Sequence, residues 1–295
     1  MWSRPMSASA STNGDSLGFT VMQAPIGPAA TVTLAAAVCD AGGLGSLAAS
    51  WTSVDELRRQ VRRLENRHFC VNLVLAFPQD DRLDVLCDEH VPVISFSWGV
   101  RPDLVERAHA AGAQVLIQVG SAEDARRAAD AGADAIMAQG VEAGGHVEGE
   151  LPLLDLLSLV VELGTPVIAA GGIADGAAAS AARSAGAQAV AAGTAFLVAE
   201  EADRHPGYVQ RLLAAEETVL TGVFSVGWPN AKHRVLPNAA LADGVQAPDA
   251  MPTGSRGGDV DRMALYAGTG VGKLRVVEPA AAIVARLRAS NAMKL

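Results

Sequence analysis

Ala111-Gly112-Ala113-Gln114-Val115 and, twenty residues on, Ala131-Gly132-Ala133-Asp134-Ala135 are one phrase written twice. Each follows an amphipathic stretch and precedes an apolar run. A glycine there can take the left-handed conformation that ends a helix, after which the chain enters a strand. The phrase returns toward the N-terminus as Asp40-Ala41-Gly42-Gly43-Leu44, and toward the C-terminus as Ala185-Gly186-Ala187-Gln188-Ala189. The gap from Gly42 to Gly112 has room for three such units. The gap from Gly132 to Gly186 has room for two and a longer loop.

The apolar runs that read as strands are Thr20–Ala24, Leu44–Ala48, Phe69–Val74, Val91–Ser95, Gln114–Val119, Ala135–Ala138, Val167–Ala170 and Gln188–Ala191. They do not alternate strictly with polar residues, which suits parallel strands covered on both faces. Helices between them announce their starts. Ser53 with Glu56 forms a capping box ahead of Val54, Leu57, Val61 and Leu64, and Ser121 with Asp124 repeats the device. Eight evenly spaced strands separated by helices predict a closed (β/α)8 TIM barrel; the rival is an open doubly wound sheet.

Residues 19–198 and 273–295 are expected to build that barrel, closed by a helix at about Glu278–Ala289. Residues 199–272 break the rhythm: a helix at Asp203–Glu217, then segments rich in Pro, Gly and polar residues. They read as an excursion covering one end of the barrel. Residues 1–18 are polar, lack the apolar core of a secretion signal and read as a mobile tail.

Composition narrows the function. Of 295 residues, half are apolar and 4% aromatic, so small residues must pack helices closely on the sheet. Lys and Arg number 23 against 32 Asp and Glu, a formal charge of −9, which argues against nucleic acid as a partner. No apolar run approaches the roughly 20 residues of a membrane span. Cys39, Cys70 and Cys87 lack disulfide or metal-ligand spacing and read as core residues in a helix, a strand and a helix. A reducing, cytoplasmic setting is the expectation.

Barrel active sites lie at the C-terminal ends of strands, with a phosphate often bound after strands seven and eight. Those places hold Gly171-Gly172 and Gly193-Thr194, glycine-rich corners whose backbone N–H groups can surround a phosphate without Lys or Arg. The sixth strand ends in Gln139-Gly140-Val141-Glu142-Ala143-Gly144-Gly145-His146. The paired glycines Gly144 and Gly145 permit close approach to a ligand and present His146 at the barrel mouth, where an imidazole can act as acid, base or hydrogen-bond donor. Glu142 reads as loop or helix-start polarity. Asn72, inside an apolar strand, with Gln118 and Gln139 at strand ends, would give three neutral amides facing one cavity, suited to a heterocycle. Each also has the alternative of capping a nearby loop. The remaining histidines read as structural or solvated.

These residues resemble the nitronate monooxygenase (2-nitropropane dioxygenase) family of FMN-dependent barrels. The resemblance runs from about Val21 to Leu287. It is carried by Gln23-Ala24-Pro25-Ile26, Val71-Asn72-Leu73, Glu142-Ala143-Gly144-Gly145-His146, Ala170-Gly171-Gly172-Ile173, Gly193-Thr194 and Tyr266-Ala267-Gly268. It implies that Ala24, Pro25 and Ile26 lie beside the flavin ring, and that Asn72, Gln118 and Gln139 contact FMN. It further implies that Gly171, Gly172, Gly193 and Thr194 hold the phosphate and that His146 is catalytic. The sequence departs from the pattern at Ala191-Ala192 and Ala195, and Gln118 stands where some relatives carry Lys.

The implied reaction is oxidation of an alkyl nitronate by O2 to a carbonyl compound and nitrite. Because the net charge would not steer an anion, attraction must be local, from His146, Lys232 or Arg234. Two alternatives stay open: an NAD(P)H-dependent FMN reductase acting on a quinone or enoyl thioester, and a non-catalytic barrel that binds a phosphorylated metabolite. The partners expected are a small-molecule substrate and O2, with NAD(P)H and a homo-oligomer left open and no metal.

Overall fold

Eight short runs of buried residues pair in parallel, in the order β1-β9-β8-β6-β5-β4-β3-β2. They are β1 (Val21–Gln23), β2 (Gly45–Ala48), β3 (Phe69–Val74), β4 (Val93–Ser97), β5 (Gln114–Val119), β6 (Ala135–Gln139), β8 (Val167–Ala170) and β9 (Ala189–Ala192), with β7 (Gly145–Val147) set apart in a second sheet. The computed structural model describes residues 17–224, 227–228, 231–244, 250–254 and 258–289. The tail expected over 1–18 lies outside these up to residue 16, while Leu17 is buried with Phe19.

The sheet closes. Gln23 N–H donates to Leu44 O at 2.9 Å and Leu44 N–H to Val21 O at 2.8 Å. The buried Gln23 side chain clamps the seam, accepting at Oε1 from Ser46 N–H (2.9 Å), while Ser46 Oγ donates to Gln23 O (2.6 Å). The fold is therefore a (β/α)8 barrel, and the open-sheet alternative falls. Gly42, Gly112, Gly132 and Gly186 all have φ between +80° and +101°, so the repeated phrase is a left-handed helix stop before a strand.

Six helices pack outside: α1 (Val32–Asp40), α2 (Val54–Arg62), α3 (Asp80–Asp88), α4 (Pro102–Ala110), α5 (Ala122–Asp130) and α6 (Leu153–Val160). After β8 and β9 come α7 (Gly176–Ser184) and the short α8 (Thr194–Leu197). Ser53 and Ser121 accept from the N–H groups of Glu56 and Asp124, as their spacing predicts. Leu57, Val61 and Leu64 are buried, but Val54, expected on the same face, is exposed. Strand four is shifted two residues from Val91–Ser95. Val91 N–H bonds back to Leu86 O at the end of α3, and Pro92 has no N–H to give the ladder.

Inside the barrel, Met22, Leu44, Cys70, Val93, Leu116 and Ile168 form one apolar plug. Ala170, Ala189 and Ala191 line the same interior with small side chains. Burial pushes the Cys70 thiol up to about 12, as a core cysteine should be; Cys39 and Cys87, expected in the core, are also raised by burial but are only half-buried and pack against it.

The stretch after α8 holds α9 (Pro206–Ala214), β10 (Val219–Thr221), β11 (Lys232–Val235) and α10 (Ala239–Asp243). The helix expected over Asp203–Glu217 is shorter because His205 caps its start and Pro206 sits at N1. β10, β11 and β7 form an antiparallel sheet in which His233 stands opposite His146. The chain then returns to α11 (Ala280–Arg288), which packs on α1 and α7; Arg288 Nη2 donates to Gly42 O at 2.7 Å. Among the described residues no helix is long and apolar enough to cross a membrane.

Candidate active site

A cavity of about 870 Å³ opens at the C-terminal ends of the barrel strands. That lies toward the upper end of the usual range for small-molecule sites. Every residue that the resemblance assigns to the flavin, its phosphate or the catalytic role reaches its lining. Ala24, Pro25 and Ile26 follow β1. Asn72, Gln118 and Gln139 come from β3, β5 and β6. Gly171 and Gly172 follow β8, Gly193 and Thr194 follow β9, and Gly144, Gly145 and His146 lead into and occupy β7. Among the described lining residues none is Asp, Glu, Lys or Arg.

The three amides line the cavity and also bond to the protein. Asn72 Nδ2 donates to Ser95 Oγ at 3.1 Å and Ser95 O at 3.3 Å. Gln139 fixes the strand that carries His146: its Nε2 donates to His146 O (3.2 Å) and its Oε1 accepts from Glu148 N–H (2.8 Å). Gln118 Nε2 donates to Glu148 Oε2 at 3.2 Å. Of the two readings of these amides, ligand contact and loop support, the support is visible in the protein's own hydrogen bonds.

The corners after β8 and β9 are shaped by glycine. Gly171 and Gly172 have φ of +125° and +67°, in the left-handed half that side chains rarely adopt. A Cβ on Gly193 would approach Ile26 Cγ2 to 3.2 Å. Thr194 Oγ1 accepts from Gly268 N–H at 2.9 Å, tying this corner to the later excursion. Gly144 serves a purpose different from close ligand approach: a Cβ there would lie 2.5 Å from Gly268 N, so it admits the excursion's backbone. Glu142 does what loop polarity predicts, accepting from Leu153 N–H at the start of α6.

His146 is enclosed by rings. Its imidazole stacks on Trp228 (centroids 3.8 Å, 19° between planes) and meets His233 at 4.6 Å, Tyr266 at 5.6 Å and Trp98 at 6.4 Å. Burial lowers its pKa to about 4, so the ring is neutral at neutral pH. His233 is fully buried behind it, a structural role. Tyr208, also fully buried, donates its hydroxyl to Tyr266 O and so fixes the backbone at Tyr266.

Two features escape sequence reasoning. Glu148, two residues past His146, is a partly buried carboxyl whose pKa burial raises to about 7, against the opposing hydrogen bond from Gln118. It also accepts at 3.1 Å from the N–H of Trp98, a residue held at φ +60°. The second feature is the aromatic wall of Trp51, Phe77, Trp98 and Trp228, whose members come from separate loops. Trp98 directly follows β4.

Lys232 and Arg234, expected to attract an anion, do not line the cavity. Lys232 pairs with Glu150 on the surface at 3.3 Å. Arg234 Nε donates to Val141 O (3.0 Å) and its Nη1 to Thr218 Oγ1 (3.3 Å), so it is spent tying the excursion to the connection after β6. Since the imidazole is neutral, His146 supplies no net charge either.

A barrel with its cavity at the strand ends and glycine corners after the last two strands defines a class of phosphate-binding barrels that hosts many chemistries, and the relatives narrow it to oxidoreductases. The nitronate monooxygenase family model matches residues 11–78 and 63–290. The chain is 38% identical over 225 residues to (3aS,4S,5R,7aS)-5-hydroxy-7a-methyl-1-oxo-octahydro-1H-indene-4-carboxyl-CoA dehydrogenase of Mycobacterium tuberculosis, covering 73% of this chain and 62% of that protein. It is 33% identical over 277 residues to nitronate monooxygenase of Pseudomonas aeruginosa, covering 76% and 78%. The solved nitroalkane oxidase of Streptomyces ansochromogenes superposes with a TM-score of 0.83 at 33% identity, covering 92% of this chain and 95% of that one. The chain thus spans about three fifths of the first relative and nearly four fifths of the second. It belongs to the nitronate monooxygenase family of oxidoreductases.

Proposed function

We propose that the protein is an FMN-dependent nitronate monooxygenase, oxidising alkyl nitronates with O2 to a carbonyl compound and nitrite. One observation carries this reading: glycine corners, neutral amides and a neutral imidazole meet in one cavity. The cavity fits the cofactor. Peptide N–H groups at Gly171, Gly172, Gly193 and Thr194 would take the phosphate, the three glycines bringing no Cβ to the corners. Ala24, Pro25 and Ile26 would border the ring system, and Asn72, Gln118 and Gln139 would face its polar edge. Residues 199–272 would close the cavity from above through Trp228 and Tyr266. The free cysteines suit a reducing cytoplasm.

FMN, when bound, supplies the electron acceptor that no side chain of this cavity can provide. The protein's part is positioning and proton handling. His146, neutral above about pH 4, can accept the α-proton of a neutral nitroalkane at a ring nitrogen, or donate a ring N–H to a nitronate oxygen. Trp228 and Tyr266 flank the imidazole and keep bulk water from its faces. For a neutral nitroalkane, kcat/KM should stay level from about pH 8 down to pH 5.5, because the base titrates near 4. A loss centred near pH 6.5 would contradict a buried, neutral imidazole.

The experiment is an anaerobic titration of the FMN-loaded protein, followed in the visible spectrum. Ethyl nitronate should bleach the flavin, and air should restore it with release of nitrite. The Mycobacterium tuberculosis relative, named as a dehydrogenase of a carboxyl-CoA, favours a second reading: an FMN oxidoreductase of a thioester that uses NAD(P)H. Bleaching by NADH or NADPH, with none by the nitronate, would favour that alternative.

A further inference from the structure

Aromatic residues are scarce here, 4% of the chain, yet Trp51, Phe77, Trp98, Trp228 and Tyr266 all line one cavity. Trp51, Phe77 and Trp228 form a closed triangle, with centroid separations of 5.7, 5.8 and 5.5 Å and interplanar angles from 48° to 84°. Trp228 is the shared member. One face stacks on His146, and its edge meets Trp98 at 5.1 Å. All of these rings line the cavity. The triangle therefore continues from the reactive imidazole outward.

Its outer member is unusual. Trp51 is 61% exposed, the most exposed large apolar side chain among the described residues. A Trp left in water beside a cavity holding about 870 Å³ is an apolar rim awaiting a covering surface. A two-carbon nitronate reacting beside His146 would be too short to reach it. Charge narrows the ligand further: among the described lining residues there is no Lys or Arg to meet a pyrophosphate or second carboxylate, and no Asp or Glu to meet an amine.

We propose that the Trp51–Phe77–Trp228 triangle is a substrate subsite that binds an uncharged aromatic or fused-ring arm attached to the reacting carbon. This rests on the nitronate reading only for the reacting group. Edge-to-face ring packing, the geometry Phe77 already adopts with both Trp51 and Trp228, is what an added ring would extend. Trp51 and Phe77 are specificity-determining and touch only the arm, whereas Trp228 touches both the arm and His146.

The test separates binding from turnover. A carboxylate has the shape and charge of a nitronate without its reactivity, so propanoate and 3-phenylpropanoate are titrated calorimetrically into the FMN-loaded protein. The phenyl compound should bind about tenfold or more tightly. That ratio should fall at least threefold in Trp51→Ala and in Phe77→Ala. Circular dichroism and flavin content report whether each variant remains folded and loaded. In parallel, kcat/KM is compared for the nitronates of nitroethane and of (2-nitroethyl)benzene, with the same preference expected. Equal affinity for the two carboxylates, binding of neither, or a ratio unchanged in both variants would overturn the subsite. If the phenyl preference in binding holds but neither nitronate is oxidised, the subsite stands and the nitronate reading fails.

Discussion

The two walls of the cavity are made of different material. One, after β8 and β9, is backbone: Gly171, Gly172, Gly193 and the peptide of Thr194 sit on adjacent strands whose spacing the barrel fixes. The other is side chain: Trp51, Phe77, Trp98 and Trp228 hang from four separate connections. A backbone wall cannot vary without disturbing the strands that set it, which suits a ligand that never changes. A side-chain wall on loops can be rebuilt while the barrel stands, which suits a substrate that differs between relatives. The proposed function puts the cofactor on the first wall and the substrate on the second.

His146 stands between the walls, and removing it should have the largest effect. His146→Ala should lose turnover by roughly 10²–10⁴-fold while keeping its flavin. Nitrite release and flavin absorbance measure the two separately, and near-normal turnover would take His146 out of the chemistry.

Next in size is Glu148, which accepts hydrogen bonds from Gln118 on β5 and from the N–H of Trp98. Its pKa of about 7 lies above the ordinary 4.5, because burial penalises the carboxylate. The fold thus favours the protonated form. The contribution is complete below about pH 4.5 and disappears as pH rises through 7. Glu148→Gln should therefore unfold at higher urea than wild type at pH 9 but not at pH 5, a difference of about 2 kcal/mol. A pH-independent difference would mean that the carboxyl is not titrating there.

Smaller effects test the backbone wall itself. Gly193→Val puts a branched side chain against Ile26 and should weaken FMN by about tenfold, or 1.4 kcal/mol, in a fluorescence titration. Thr194→Val keeps the shape but loses the acceptor for Gly268 N–H and should weaken FMN only about threefold. If both variants bind FMN as wild type does, the phosphate lies elsewhere.

The same contrast explains what was legible. The glycine stops at Gly112 and Gly132, the buried strand at Phe69–Val74 and the corners at Gly171 and Gly193 are local patterns, set by neighbours in the chain. Asn72, Gln118 and Gln139 stood out as polar residues in apolar runs, though their partners Ser95 and Glu148 did not. Three-residue β7 was hidden in a loop because its partner β11 lies far along the chain, and pairing at that distance leaves no local signal. Trp228 was hidden likewise, in a segment rich in Gly and Pro. Gly144 was legible as a tight approach but not as an approach to Gly268. What failed to show was whatever tertiary packing alone brings together.

The most direct test is the crystal structure of the protein grown with FMN. The account predicts a phosphate within hydrogen-bonding distance of the peptide N–H groups at Gly171, Gly172 and Gly193, and an isoalloxazine ring bordered by Ala24 to Ile26 with the imidazole of His146 facing it. A flavin bound away from those peptides, or His146 turned out of the cavity with the flavin in place, would contradict it.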